Sequence, residues 1–171
     1  EILEVGCHFG QSTVLLHEAA AAANDCVKAD DGGSTYSEQG HSRGSGFCVG
    51  VDIGPKIIEH ANTKYPHVPF AVGNAWNVLQ LLKVKSESLL ARGEEKPCET
   101  TSSGQLFQMG YDLVYADIGG LSGPDGLMES LSLLDSLGNS LEPRCIVIKS
   151  LCMNRLSSQL TAFSDVWHKI K

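Results

Sequence analysis

Short apolar runs alternate along this chain with longer stretches in which apolar residues recur every three or four positions. The runs Ile2 to Val5, Phe47 to Val51, Val68 to Val72, Leu113 to Ala116 and Cys145 to Ile148 are rich in Val and Ile, as expected of strands buried on both faces. Helical periodicity predicts helices over Ser12 to Ala23, Pro55 to Lys64, Trp76 to about Lys83, Gly126 to Leu141 and Asn154 to Ile170. Pro55 suits a first helical position, and Pro143 suits a stop just past a helix end. Strands alternating with helices predict an α/β fold, a doubly wound and mainly parallel sheet covered on both faces by right-handed crossovers.

Two segments interrupt the rhythm. Residues 25 to 46 (DCVKADDGGSTYSEQGHSRGSG) and 85 to 104 (KSESLLARGEEKPCETTSSG) are polar, rich in Gly and Ser, and weakly periodic, so they read as surface insertions. The chain opens inside a strand and closes in a helix-like pattern, Trp167-His168-Lys169-Ile170-Lys171, which predicts a single domain over 1–171 that is cut at both ends and lacks its last strands.

Composition narrows the chemistry. A chain of 171 residues, 42% hydrophobic, can bury roughly 70% of its unfolded surface as one domain. A net charge of −7 argues against a broad basic surface for nucleic acid, although a local patch could escape the total. Cys7, Cys26, Cys48, Cys98, Cys145 and Cys152 form no C-x-x-C pair, and reduced thiols point to an intracellular, first of all cytoplasmic, protein. No apolar run approaches the ~20 residues of a membrane span, so no membrane partner is expected. A zinc site would need four closely spaced ligands, which Cys26, His41 and Cys48 do not supply; no metal is expected.

The first strand enters EVGCHFGQST, residues 4 to 13. A strand that turns through glycine into a helix points backbone N–H groups, and the positive end of the helix dipole, across the strand ends toward a carboxylate or phosphate. A dinucleotide pyrophosphate usually demands G-x-G-x-x-G, the middle glycine letting the backbone approach closely. Here His8 stands at that place, between Gly6 and Gly10, which disfavours NAD and FAD. Asp52 lies 42 residues beyond Gly10, and removing the 22-residue insertion leaves 20, the usual distance to a ribose-binding acid.

With these motifs in place the chain resembles the class I S-adenosylmethionine-dependent methyltransferases, with a Rossmann-like fold, from residue 1 to about 150. ILEVGCHFGQST is similar to their first motif, so Glu4, Gly6, Cys7, His8 and Gly10 are implied at the methionine end of the cofactor. GVDIGPKIIEHANTKYP is similar to the second, which implies that Asp52 accepts the ribose hydroxyls and that Ile53 packs on adenine. VPFAVGNAWN is similar to the third: Asn74 would accept the adenine amino group through its side-chain oxygen and Ala75 would offer its N–H. Trp76 reads equally as core or as adenine neighbour.

YDLVYADIGGLSG is similar to the fourth motif, which faces the acceptor; Asp117, before Gly119-Gly120, is the first catalytic candidate, and Asp125 suits a helix cap. CIVIKSL ends the fifth strand in Lys149-Ser150. A lysine ending a strand often just snorkels, but an aspartate after strand four with a lysine ending strand five resembles two members of the Lys-Asp-Lys-Glu tetrad of RNA 2′-O-ribose methyltransferases, and that resemblance implies Asp117 and Lys149 as the catalytic pair. Catechol-type enzymes hold Mg²⁺ through an Asp-Asn pair where Lys149-Ser150 stands, so no catalytic metal is implied. The resemblance implies direct methyl transfer from S-adenosyl-L-methionine to an unidentified acceptor, an RNA ribose hydroxyl or a small molecule. The alternatives are an inactive methyltransferase-like scaffold and, further off, a nicotinamide oxidoreductase.

Overall fold

The computed structural model describes residues 1–29, 46–93, 110–118 and 126–160, without the side chains of 24–29. Five strands, β1 (Ile2–Val5), β2 (Cys48–Asp52), β3 (Phe70–Val72), β4 (Leu113–Ala116) and β5 (Cys145–Ile148), alternate with five helices. These are α1 (Gln11–Ala29), α2 (Pro55–Lys64), α3 (Val78–Ala91), α4 (Gly126–Leu141) and α5 (Leu151–Ser157). All strand pairs are parallel, in the order β3-β2-β1-β4-β5. The fold is the Rossmann-like α/β sheet that the pattern predicts. The chain runs outward from β1 to β3, then returns to place β4 on the other side of β1, so the topological switch lies between β1 and β4.

Side chains alternate across the sheet. Leu3, Val5, Phe47, Val49, Val51 and Val114 join Leu81, Val84 and Leu89 of α3 and Leu133, Leu137 and Leu141 of α4 in the main core. On the opposite face Cys7, Ile58, Ala61, Val68 and Phe70 pack with Val14 of α1 and Tyr65. Gly10 and Gly50 make room there for the Phe70 ring; a Cβ on Gly50 would meet it at 2.7 Å. At roughly 25 cal/mol per Å² of apolar area, each large aliphatic side chain of these cores contributes about 2 kcal/mol.

Several boundaries differ from expectation. α3 continues through 85–91, which the sequence assigns to an insertion: Leu81, Val84, Lys85, Ser88 and Leu89 are buried at helical spacing. The stripe was hidden because two of its members are polar. Buried Lys85 is paired with Glu1 and also donates to the Gly110 carbonyl, while the Tyr111 hydroxyl donates to the Leu81 carbonyl at 2.9 Å. α1 likewise extends into the first insertion, as far as Ala29, carried by the helix-favouring run Ala19 to Ala23. The remainder of both insertions, 30–45 and 94–109, lies outside the described residues.

β3 begins at Phe70 rather than Val68 because Pro69 has no N–H to give the ladder; its carbonyl accepts from Gly50 N at 3.0 Å. α5 starts earlier than predicted, at Leu151, and runs to Ser157; residues 161–170 of the predicted helix lie outside the described residues. Its cap is Ser150, whose Oγ accepts Met153 N–H at 3.3 Å. β5 is not buried on both faces: Ile146 and Ile148 pack against the main core, while Cys145 and Val147, on the other face, are exposed. Among the described residues no helix is long and apolar enough to cross a membrane.

Candidate functional site

A cleft of about 620 Å³ opens at the carboxyl ends of β1, β2, β3 and β4. Its lining contains Gly6, His8, Asp52, Ile53, Asn74 and Ala75, together with Asp117 from the far side of the switch. The chain therefore brings together, from four turns, seven of the residues singled out in the sequence. Trp76, which the sequence left between core and site, is half exposed and lines the cleft with Ile53, itself 70% exposed. Ile118, Val5, Val51 and Gly73 complete the wall; they had no signal beyond being strand ends.

The first turn differs from the expected cradle. Gly6 N and Cys7 N donate to the Val51 carbonyl at 2.8 and 3.1 Å, Gly10 N donates to Cys7 O at 2.9 Å, and His8 N donates to Asp52 Oδ2 at 3.1 Å. These four N–H groups are turned to protein acceptors instead of toward a ligand. The turn is possible because Gly6 and Gly10 take left-handed backbone, with φ of 81° and 79°; His8 does the same at 47°. Gly6 also packs backbone to backbone on the β4 turn: a Cβ there would collide with the Asp117 carbonyl, and Asp117 N donates to Val5 O at 2.9 Å.

Three predicted residues stand behind the cleft rather than in it. Glu4 is fully buried on the α1 side of the sheet, where its carboxylate accepts the hydroxyls of Ser12 and Thr13 and so anchors the first turn of α1. Burial raises its pKa above the ordinary carboxyl value, and the two hydroxyls work against that rise. Cys7 turns into the core beside Ile58 and Phe70, and burial pushes its thiol up to about 12, so it is an apolar filler rather than a nucleophile. Gly10 faces the Phe70 ring.

Asp52 is fixed by two turns at once: Oδ2 takes His8 N–H and Oδ1 takes Gly54 N–H at 2.9 Å. Each oxygen keeps a further acceptor position. Asn74 is held in its turn by two bonds: Oδ1 accepts the Trp76 N–H at 3.0 Å and its backbone N–H donates to Gln80 Oε1 at 3.1 Å. The side-chain oxygen takes part in the turn and keeps one further acceptor position, and the amide NH₂ is a second group that can meet a ligand.

Across the switch, Lys149 Nζ donates to Asp117 Oδ2 at 2.7 Å. That bond, with the charge of Asp117, raises the lysine pKa. Neither group is buried, with side-chain exposures of 68% for Lys149 and 31% for Asp117. Ser150, next along, is a buried helix cap at 3.1 Å from Ser130 Oγ. Gly119, Gly120 and Asp125 lie outside the described residues, as do Cys98, His41 and the side chain of Cys26. Among the described residues no three His, Cys, Asp or Glu side chains converge on a metal position.

No family model matches the chain, and no curated protein matches it. Among solved structures it is similar to a TehB-like SAM-dependent methyltransferase from Corynebacterium glutamicum ATCC 13032 Kitasato, at 16% identity and a TM-score of 0.33. The match covers 80% of this chain and 47% of that one, so the chain spans about half the length of the solved structure. The fold assignment rests on the strand order described above.

Proposed function

We propose that this domain binds S-adenosylmethionine in the cleft and transfers its methyl group directly to a hydroxyl of an acceptor, an RNA ribose or a small molecule. The observation that carries this reading is the grouping of one acid, one amide and two exposed apolar side chains: Asp52, Asn74, Ile53 and Trp76 line the same cleft. That set suits a nucleoside. The carboxylate accepts two ribose hydroxyls, Ile53 and Trp76 flank a planar base, and the Asn74 amide donates to a ring nitrogen. His8 in place of the middle glycine counts against a diphosphate, and so against a nicotinamide dinucleotide.

When bound, the cofactor supplies a methyl group on a sulfonium whose thioether is a good leaving group. The chain's own residues then have two tasks. The cleft holds the donor at the carboxyl edge, beside Asp117, and excludes water from one side of it. The Asp117–Lys149 pair meets the acceptor: the carboxylate takes a hydrogen bond from the incoming hydroxyl, orients it and receives its proton as the oxygen attacks, while the ammonium steadies the charge that develops on that oxygen.

Calorimetric titration of S-adenosylhomocysteine and of NAD tests the reading. Binding of the first alone is the expected result. Binding of NAD alone would replace the proposal by an oxidoreductase, and binding of neither to folded protein would leave a scaffold domain.

A further inference from the structure

His8 is the one residue inside the first turn that holds left-handed backbone without being glycine. Among the described residues only Glu142 shares this property, and it follows a helix end, where such a conformation is ordinary. A left-handed backbone is unfavourable for a residue with a Cβ, so the surroundings of His8 must hold it there. Two contacts do so. Its N–H donates to Asp52 Oδ2. Its ring meets Phe9 edge-on at 4.0 Å between centroids, and Phe9 meets His60 of α2 at 4.9 Å in the same manner. Both contacts tie the β1–α1 turn to the β2–α2 unit, and the Asp52 carboxylate joins the same two turns through Gly54 N–H.

We infer that His8 is a positioning residue for ribose recognition: its left-handed backbone aims the N–H that holds the Asp52 carboxylate in register for two hydroxyls, and the Phe9–His60 rings lock that backbone. This rests on the nucleoside reading of the cleft. The role belongs to the main chain, so it survives substitution by residues that tolerate a positive φ. It fails with a β-branched residue, which disfavours that region. The ring contacts add rigidity that a glycine at this place would lack.

The test is the ratio of affinities for S-adenosylhomocysteine and its 2′-deoxyribosyl analogue, measured by calorimetry on the full chain for wild type, His8→Gly, His8→Asn and His8→Val. Wild type is expected to prefer the ribose form by about tenfold or more. Gly and Asn keep that preference within about twofold, and Val reduces it to below about threefold, a change that general loosening of the fold would not produce in a ratio. Retention of the full preference by His8→Val, or its loss in His8→Gly, would overturn the inference.

A second arm does not depend on any ligand or on that variant folding. The His8 amide should exchange slowly with solvent in wild type and at least about tenfold faster in Asp52→Ala. Equal exchange would overturn the clamp. A folded wild type that binds neither nucleoside would overturn the methyltransferase reading instead, with the exchange result still reporting on the His8–Asp52 bond.

Discussion

At the β1–β2 end of the crevice the polar groups are held by backbone: Asp52 by His8 and Gly54 N–H, and the turn itself by Gly6 and Cys7 N–H on the Val51 carbonyl. At the β4–β5 end Asp117 and Lys149 meet only through side chains that solvent reaches. The first arrangement tolerates little movement, because its partners are main-chain groups of two short turns that leave adjacent strands. The second can be opened at small cost, since solvent screens an exposed ion pair. One end is thus preorganised for a ligand of constant shape, and the other is able to exchange its internal partner for an incoming acceptor.

The comparison breaks most visibly at the point where the two ends touch. Gly6→Ala adds a Cβ against the Asp117 carbonyl in a residue with positive φ, and should cost about 3 kcal/mol or more in chemical denaturation. An unfolding midpoint like that of wild type would show that the two turns are not in contact. Asp117→Ala should lower turnover on an accepted substrate by about a hundredfold, with affinity for S-adenosylhomocysteine within about twofold. The reverse pattern would make Asp117 part of the preorganised end. Asp52→Ala should weaken S-adenosylhomocysteine by at least about tenfold, about 1.4 kcal/mol, in calorimetry; unchanged affinity in a folded variant would place the ribose elsewhere.

Two smaller effects sharpen the picture. Glu4 has a raised pKa, so between the ordinary carboxyl value and the raised one the folded state binds more protons than the unfolded. Its contribution to stability therefore declines as pH rises through that window. The stability difference between wild type and Glu4→Gln, followed by denaturation across pH, should change in that sense and level off above it. A flat difference would mean that the Ser12 and Thr13 hydroxyls compensate the burial fully. His8→Gly relieves the left-handed strain and should raise stability by roughly 0.5–1 kcal/mol.

Much of this was legible in the chain. Short Val/Ile runs separated by amphipathic stretches marked the strands and helices and their order, because strands of a parallel sheet covered on both faces are mostly apolar, with Glu4 of β1 the buried exception. The glycine turn after β1 and the acid ending β2 marked two turns of the cleft, although α1 takes up residues 25–29 of the polar segment between them.

Tertiary structure decided the rest, each time because a partner distant in sequence set the outcome. Lys85 and Ser88 looked like a surface insertion until Glu1, Gly110 and the sheet gave them a buried place. Glu4 read as a ligand group and is an anchor for α1, since alternation along β1 turns it to the face opposite Leu3 and Val5. Asn74 turned its oxygen inward to Trp76, and Trp76 turned outward to the cleft. Periodicity along a chain reports which residues are buried. Which acceptor a given N–H reaches depends on two turns meeting in space, and for His8 and Asp52 that meeting spans 44 residues.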